Sequence, residues 1–132
     1  MRKLLLFSLT ILTLCGWSMP TGWQYPSLAI GQNVTTAQTL TSSQSGTIIV
    51  YTGSSIATFT LPTATVGLDL TIVSGAAYTL TVTPQSADII SLASKTAGQS
   101  ISNSSAAKAD SIELVCMQAG YWYIKSKIGT WS

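Results

Sequence analysis

Across 132 residues the chain has four acids, two cysteines and no histidine. That supply limits the chemistry before any fold is considered. Ser-His-Asp and Cys-His arrangements need an imidazole to carry the proton, so both are excluded. Zinc sites built from histidines or several cysteines are excluded by the same shortage. Paired carboxylates are the remaining route to acid–base work. The acids are Asp69, Asp88, Asp110 and Glu113, and only the last two lie close in sequence. Their three-residue spacing on an extended strand sends the side chains to opposite faces. All four therefore read as solvated charges at strand ends. The glycines are scattered at turns and form no phosphate-cradling loop. No alternating Asp/Asn run offers a calcium loop. The expectation is a protein that is not an enzyme, with no catalytic residue, cofactor or metal.

Binding residues are better represented. Tyr121, Trp122 and Tyr123 are consecutive, and Trp131 follows near the end. On a strand, Tyr121 and Tyr123 share one face while Trp122 and Ile124 share the other. One set belongs to the core. The other fills a subunit interface, where Tyr and Trp are enriched, or stacks on the sugar rings of a surface glycan. Thr79, Thr81 and Thr83 form a second row, with Thr58 and Thr60 on another strand. Such rows are either an ice-ordering array or the ordinary wet face of a half-exposed strand. Cys116 lies in phase with Ile112 and Leu114, the position of a small buried hydrophobe. Asn33-Val34-Thr35 and Asn103-Ser104-Ser105 match the glycosylation sequon, a match that Ser/Thr-rich chains produce by chance.

Short strands must position these residues. Only 8% of the chain is charged, far below the usual ~25%, so hydroxyl groups must cover much of the surface. The net charge of +2 comes from Arg2 and Lys3, and the remainder is balanced. No basic stripe supports nucleic-acid binding. Gly46 precedes the β-branched run Thr47–Tyr51. Ser55–Leu61 alternates and is stopped by Pro62, and Leu68–Ile72 alternates likewise. Tyr78–Thr83 is the cleanest period-two run. Ser111–Met117 and Tyr121–Lys127 read as two long strands joined by a Gln118-Ala119-Gly120 hairpin loop. No fixed repeat of 20–50 residues stands out, which argues against a solenoid. The reading is all-β: a small antiparallel β-sandwich or jelly-roll-like domain over residues 46–132.

Two segments precede it. Residues 1–18 have a basic start, an apolar run from Leu4 to Cys15 and small residues after it, the pattern of a secretory signal peptide. The run is short of the ~20 apolar residues of a full span. Cys15 stands where a lipoprotein cleavage box would place its acylated cysteine, although Leu14 departs from that box. Cleavage, lipidation at Cys15 and retention all stay open, and membrane contact is expected only through this segment. Residues 19–45 read as a Pro/Gly/Thr-rich arm.

From Thr58 onward the motifs have a recognisable order. Thr60-Leu61-Pro62-Thr63-Ala64 is followed by Val66-Gly67-Leu68, then Leu80-Thr81-Val82-Thr83-Pro84, then Asp88-Ile89-Ile90. Ser111–Cys116, Gly120-Tyr121-Trp122 and Gly129-Thr130-Trp131 complete the set. This order resembles a β-rich module of tailed-bacteriophage virion proteins of the tail-fibre, appendage and capsid-surface types. The resemblance implies a non-enzymatic structural protein whose partners are copies of itself or other assembly proteins. The hydrophobic leader points instead to an exported or lipid-anchored bacterial surface protein or adhesin. The expected location is accordingly a virion surface or the cell exterior.

Overall fold

A computed structural model describes residues 31–132. The leader, Cys15 and the first part of the arm lie outside the described residues. Among the described residues, ten strands form two sheets. The first sheet holds six strands: β1 (Gly31–Val34), β3 (Thr47–Tyr51), β5 (Asp69–Ser74), β7 (Ile89–Ser91), β9 (Ser111–Gln118) and β10 (Tyr121–Ile128). Their spatial order is β1-β3-β5-β9-β10-β7. The second sheet holds β2 (Gln38–Thr39), β4 (Ala57–Thr60), β6 (Leu80–Thr83) and β8 (Ile101–Ser102), in that order. The strands β1 and β2 fall within the stretch read as an arm, and both pair into sheets.

The antiparallel sandwich or jelly roll expected from the sequence is overturned, because both sheets are mixed. In the first, β1, β3 and β5 run parallel, as do β10 and β7. In the second, β2, β4 and β6 run parallel. The physical reason is the order of visits. From β1 to β6 the chain changes sheet at every connection. Each strand therefore returns to its own sheet after a full winding and points the same way as its predecessor. Sheet alternation continues through β7 and β8, but there the chain no longer adds each strand beside its predecessor in the same direction, and β5–β9, β9–β10 and β6–β8 are antiparallel. Alternation along a strand reports which face is wet, not which way the neighbouring strand runs.

The β3–β4 and β5–β6 windings are offset by the same step in both sheets, whereas Gly31 lies opposite Ile48 and Gln38 opposite Phe59, steps of 17 and 21 residues. Ile48 lies opposite Thr71 and Ala57 opposite Leu80, 23 residues on in each case. The sequence carries a faint trace of it. Ile49-Val50 stacks on Ile72-Val73, and Thr58-Phe59-Thr60 on Thr81-Val82-Thr83. Two windings in register are too few to raise a visible repeat, which is why the chain reads as non-repetitive.

Both sheets contribute to one core. Ile49, Tyr51, Leu70, Ile72, Ile112, Leu114 and Trp122 come from the first sheet, and Ala57, Phe59, Leu80, Val82 and Ile101 from the second. Tyr51 and Phe59 meet edge to face with ring centroids 6.0 Å apart. The β9–β10 hairpin forms as expected, with Gly120 at φ +82° in its turn, a conformation that L side chains rarely adopt.

Candidate functional site

The four acids divide unequally. Asp69 and Glu113 sit on the outer face of the first sheet, as solvated charges should. Asp88 and Asp110 are buried, which corrects the reading of all four as strand-end charges. Each buried carboxylate receives hydrogen bonds from loop groups. The Ala64 N–H donates to Asp88 Oδ2 at 2.7 Å. The Gly120 N–H then donates to the Ala64 carbonyl at 3.0 Å, and the Ile89 N–H to the Gly120 carbonyl at 2.9 Å. Asp88 thus joins the Leu61-Pro62 stretch to the hairpin turn.

Asp110 does the same at the far end. Its Oδ2 accepts from Asn103 Nδ2 and the Ala107 N–H, each at 3.2 Å, and from the Ser105 hydroxyl. Gly129, at φ +84°, lies directly against this carboxylate, and a Cβ there would overlap it. Beyond it, Ser102 and Ser132 exchange backbone hydrogen bonds of 2.9 and 3.1 Å. Burying a polar group is tolerable when its partners are supplied, and here the loops supply them. Both carboxylates are committed to holding loops. Among the described residues, no three His, Cys, Asp or Glu side chains gather into a metal site.

The aromatic candidates separate by face. Trp122 is fully buried, and its indole N–H has no acceptor among the described residues. Trp131 is 3% exposed, and its Nε1 donates to the Ile128 carbonyl at 3.0 Å. Both are core residues and present no surface to a ligand. Tyr121 and Tyr123 are half-buried on the outer face of the first sheet, with stacked rings 6.3 Å apart at 28°. The structure therefore keeps Tyr121 and Tyr123 as surface candidates and removes Trp122 and Trp131.

Around the tyrosines lies a surface that the motifs did not reveal. Val115 is opposite Tyr123, Ile89 is opposite Tyr121, and Met117 on the same face is 64% exposed. Diagonally across the sheet, Ile48, Val50 and Val73 form a second apolar corner. Between the corners Lys125 Nζ lies 2.6 Å from Glu113 Oε1 and 4.0 Å from Asp69 Oδ2. The hydrogen bond from Lys125 holds the Glu113 carboxyl below its ordinary range. The same bond raises the Lys125 ammonium. All described strands belong to the two sheets, and none lies over this face. The signal was present in the sequence. Ile48-Ile49-Val50-Tyr51 and Leu70-Thr71-Ile72-Val73 are nearly continuous apolar runs, as strands with two covered faces show.

The outer face of the second sheet is the opposite. Thr58, Thr81 and Ser102 lie in one row, and Thr39, Thr60 and Thr83 in another. The Thr81 and Ser102 hydroxyls are 3.0 Å apart, and those of Thr83 and Ser100 are 2.9 Å apart. Thr79 is outside both rows, just before β6. Of the two sequon asparagines, Asn103 is buried against Asp110, while Asn33 is exposed on β1. Cys116 is buried, and burial pushes its thiol up from the ordinary range. Neither a protein-family model nor a curated protein sequence matches this chain.

Proposed function

We propose that this domain is a non-enzymatic structural module that works by docking the outer face of its six-stranded sheet against a neighbouring protein in a larger assembly. One observation carries this reading. The two outer faces come from the same period-two alternation, yet one is Thr and Ser, while the other places Ile, Val, Met and Tyr at two corners around a polar centre of Asp69, Thr71, Glu113 and Lys125. A sheet with one face in the core normally turns polar residues to water on the other. The second sheet obeys that rule and the first only in part. Apolar side chains left on the outer face of a sheet in this way mark an interaction site. The setting is a virion surface or appendage, or an exported cell-surface structure, and the same face serves in each. The test is a photo-cross-linking side chain at position 123 in the source assembly. It should capture a neighbouring protein there, and one at position 81 should not. Equal capture at both positions, or at neither, contradicts the reading.

The stacked Tyr121–Tyr123 pair favours a second reading, a glycan platform in an adhesin. Perturbation of the tyrosine ring resonances by oligosaccharides would support it over protein docking.

A further inference from the structure

We infer that the neighbour is a second copy of this chain, docked face to face on the six-stranded sheet about a two-fold axis near Lys125. This rests on the assembly reading above and names its partner.

The charged centre of the face holds one base, Lys125, and two acids, Glu113 and Asp69. Both signs thus lie between the two apolar corners. Lys125 bonds closely to Glu113 and reaches Asp69 only at 4.0 Å. The Asp69 side chain is 40% exposed and that of Lys125 is 56% exposed, so each has room for a second partner. An in-plane two-fold axis through this centre brings Lys125 of each copy toward Asp69 of the other. A partner of uniform charge would leave one of the two signs facing its like.

Net charge and area agree. The described residues hold four lysines (95, 108, 125 and 127) and four acids, so copies do not repel one another as bodies. Six strands at ~4.8 Å and roughly five residues at ~3.3 Å give a face of about 30 by 16 Å. Two such faces bury on the order of 1,000 Å² together, the lower bound for a specific interface. Association through the sheet edges is less suited. The strands at the described edges, β1, β7, β2 and β8, have 4, 3, 2 and 2 residues. Such short edges offer few free backbone groups.

The experiment is sedimentation velocity on the full chain over a wide concentration range. The variants are Val115→Lys and Tyr123→Ser on the face, Asp69→Asn at its centre, and Thr81→Lys on the hydroxyl face as a control. The wild type should form a concentration-dependent dimer, and Thr81→Lys should keep it. Val115→Lys and Tyr123→Ser should be monomeric and still unfold cooperatively, at a midpoint that no longer depends on protein concentration, and Asp69→Asn should weaken the dimer several-fold. Should Val115→Lys unfold, Tyr123→Ser decides. A wild type that stays monomeric overturns the inference. So does association that both face variants leave intact, because it would run through another surface such as the apolar residues 4–15. A monomer whose position-123 probe still captures a different protein sinks this inference alone. A monomer that captures nothing sinks the assembly reading with it.

Discussion

The Asp110 carboxylate receives two side-chain donors and one backbone N–H in a buried site, so Asp110→Ala should strand all three. The expected loss is about 2–4 kcal/mol in urea denaturation. Gly129→Ala should cost about 1–3 kcal/mol in the same measurement, because it forces a left-handed backbone on alanine and drives a methyl into that carboxylate. Glu113 gives a pH signature. Its folded pKa lies below the unfolded value, so its contribution is present above the unfolded pKa and fades as pH falls through the folded one. The urea midpoints of wild type and Glu113→Gln should therefore differ at neutral pH and converge in acid. The effect is small, since the pair is exposed to solvent. The Cys116 thiol should react with a thiol reagent only once denaturant opens the core. Roles at this scale were only partly legible. The phase of Cys116 with Ile112 and Leu114 places it in the core. The donor to Asp88 is Ala64, far back in sequence, so nothing beside Asp88 announces its burial. Those to Asp110 are Asn103, Ser105 and Ala107, close by but in a Ser/Ala-rich stretch that reads as an exposed loop.

Strands, by contrast, were legible where turn residues bound them. Pro62, Gly75 and Gly120 each fall between strands, and β9 and β10 lie within a residue of the expected hairpin. Their direction was not legible, because direction depends on which sheet the chain visits next. The hydroxyl rows show what elements add. Neighbouring strands register Thr58 with Thr81 and Thr81 with Ser102, so rows that look isolated in sequence are continuous in space. Across β6 and β8 these hydroxyls bond to one another, which turns them away from an external water lattice. The expected result of a thermal-hysteresis assay is no activity.

For the whole molecule, the two-sheet winding makes most contacts distant in sequence. Such topologies fold slowly, because loop closure precedes the contacts that reward it. Refolding from urea should accordingly take milliseconds to seconds in stopped-flow fluorescence, with Trp122 and Trp131 reporting burial. A microsecond phase accounting for the full amplitude would contradict the winding. At this scale the sequence discloses low charge and a shortage of catalytic residue types. It conceals that residues as distant as Ile48 and Tyr123 end on the outer face of one sheet, since strand order is fixed only after the chain has wound.

The 23-residue step shared by both sheets between the β3–β4 and β5–β6 windings gives the domain a ruler. Thr47–Asp69 delivers one strand to each sheet and ends where the next winding begins in the same register. Repeating that segment once would lengthen both sheets by ~4.8 Å while leaving the Asp88 and Asp110 loops and the terminal hairpin as they are. Length and ends are thus specified separately, and a descendant of this chain can grow along its axis by whole windings without redesigning its closure.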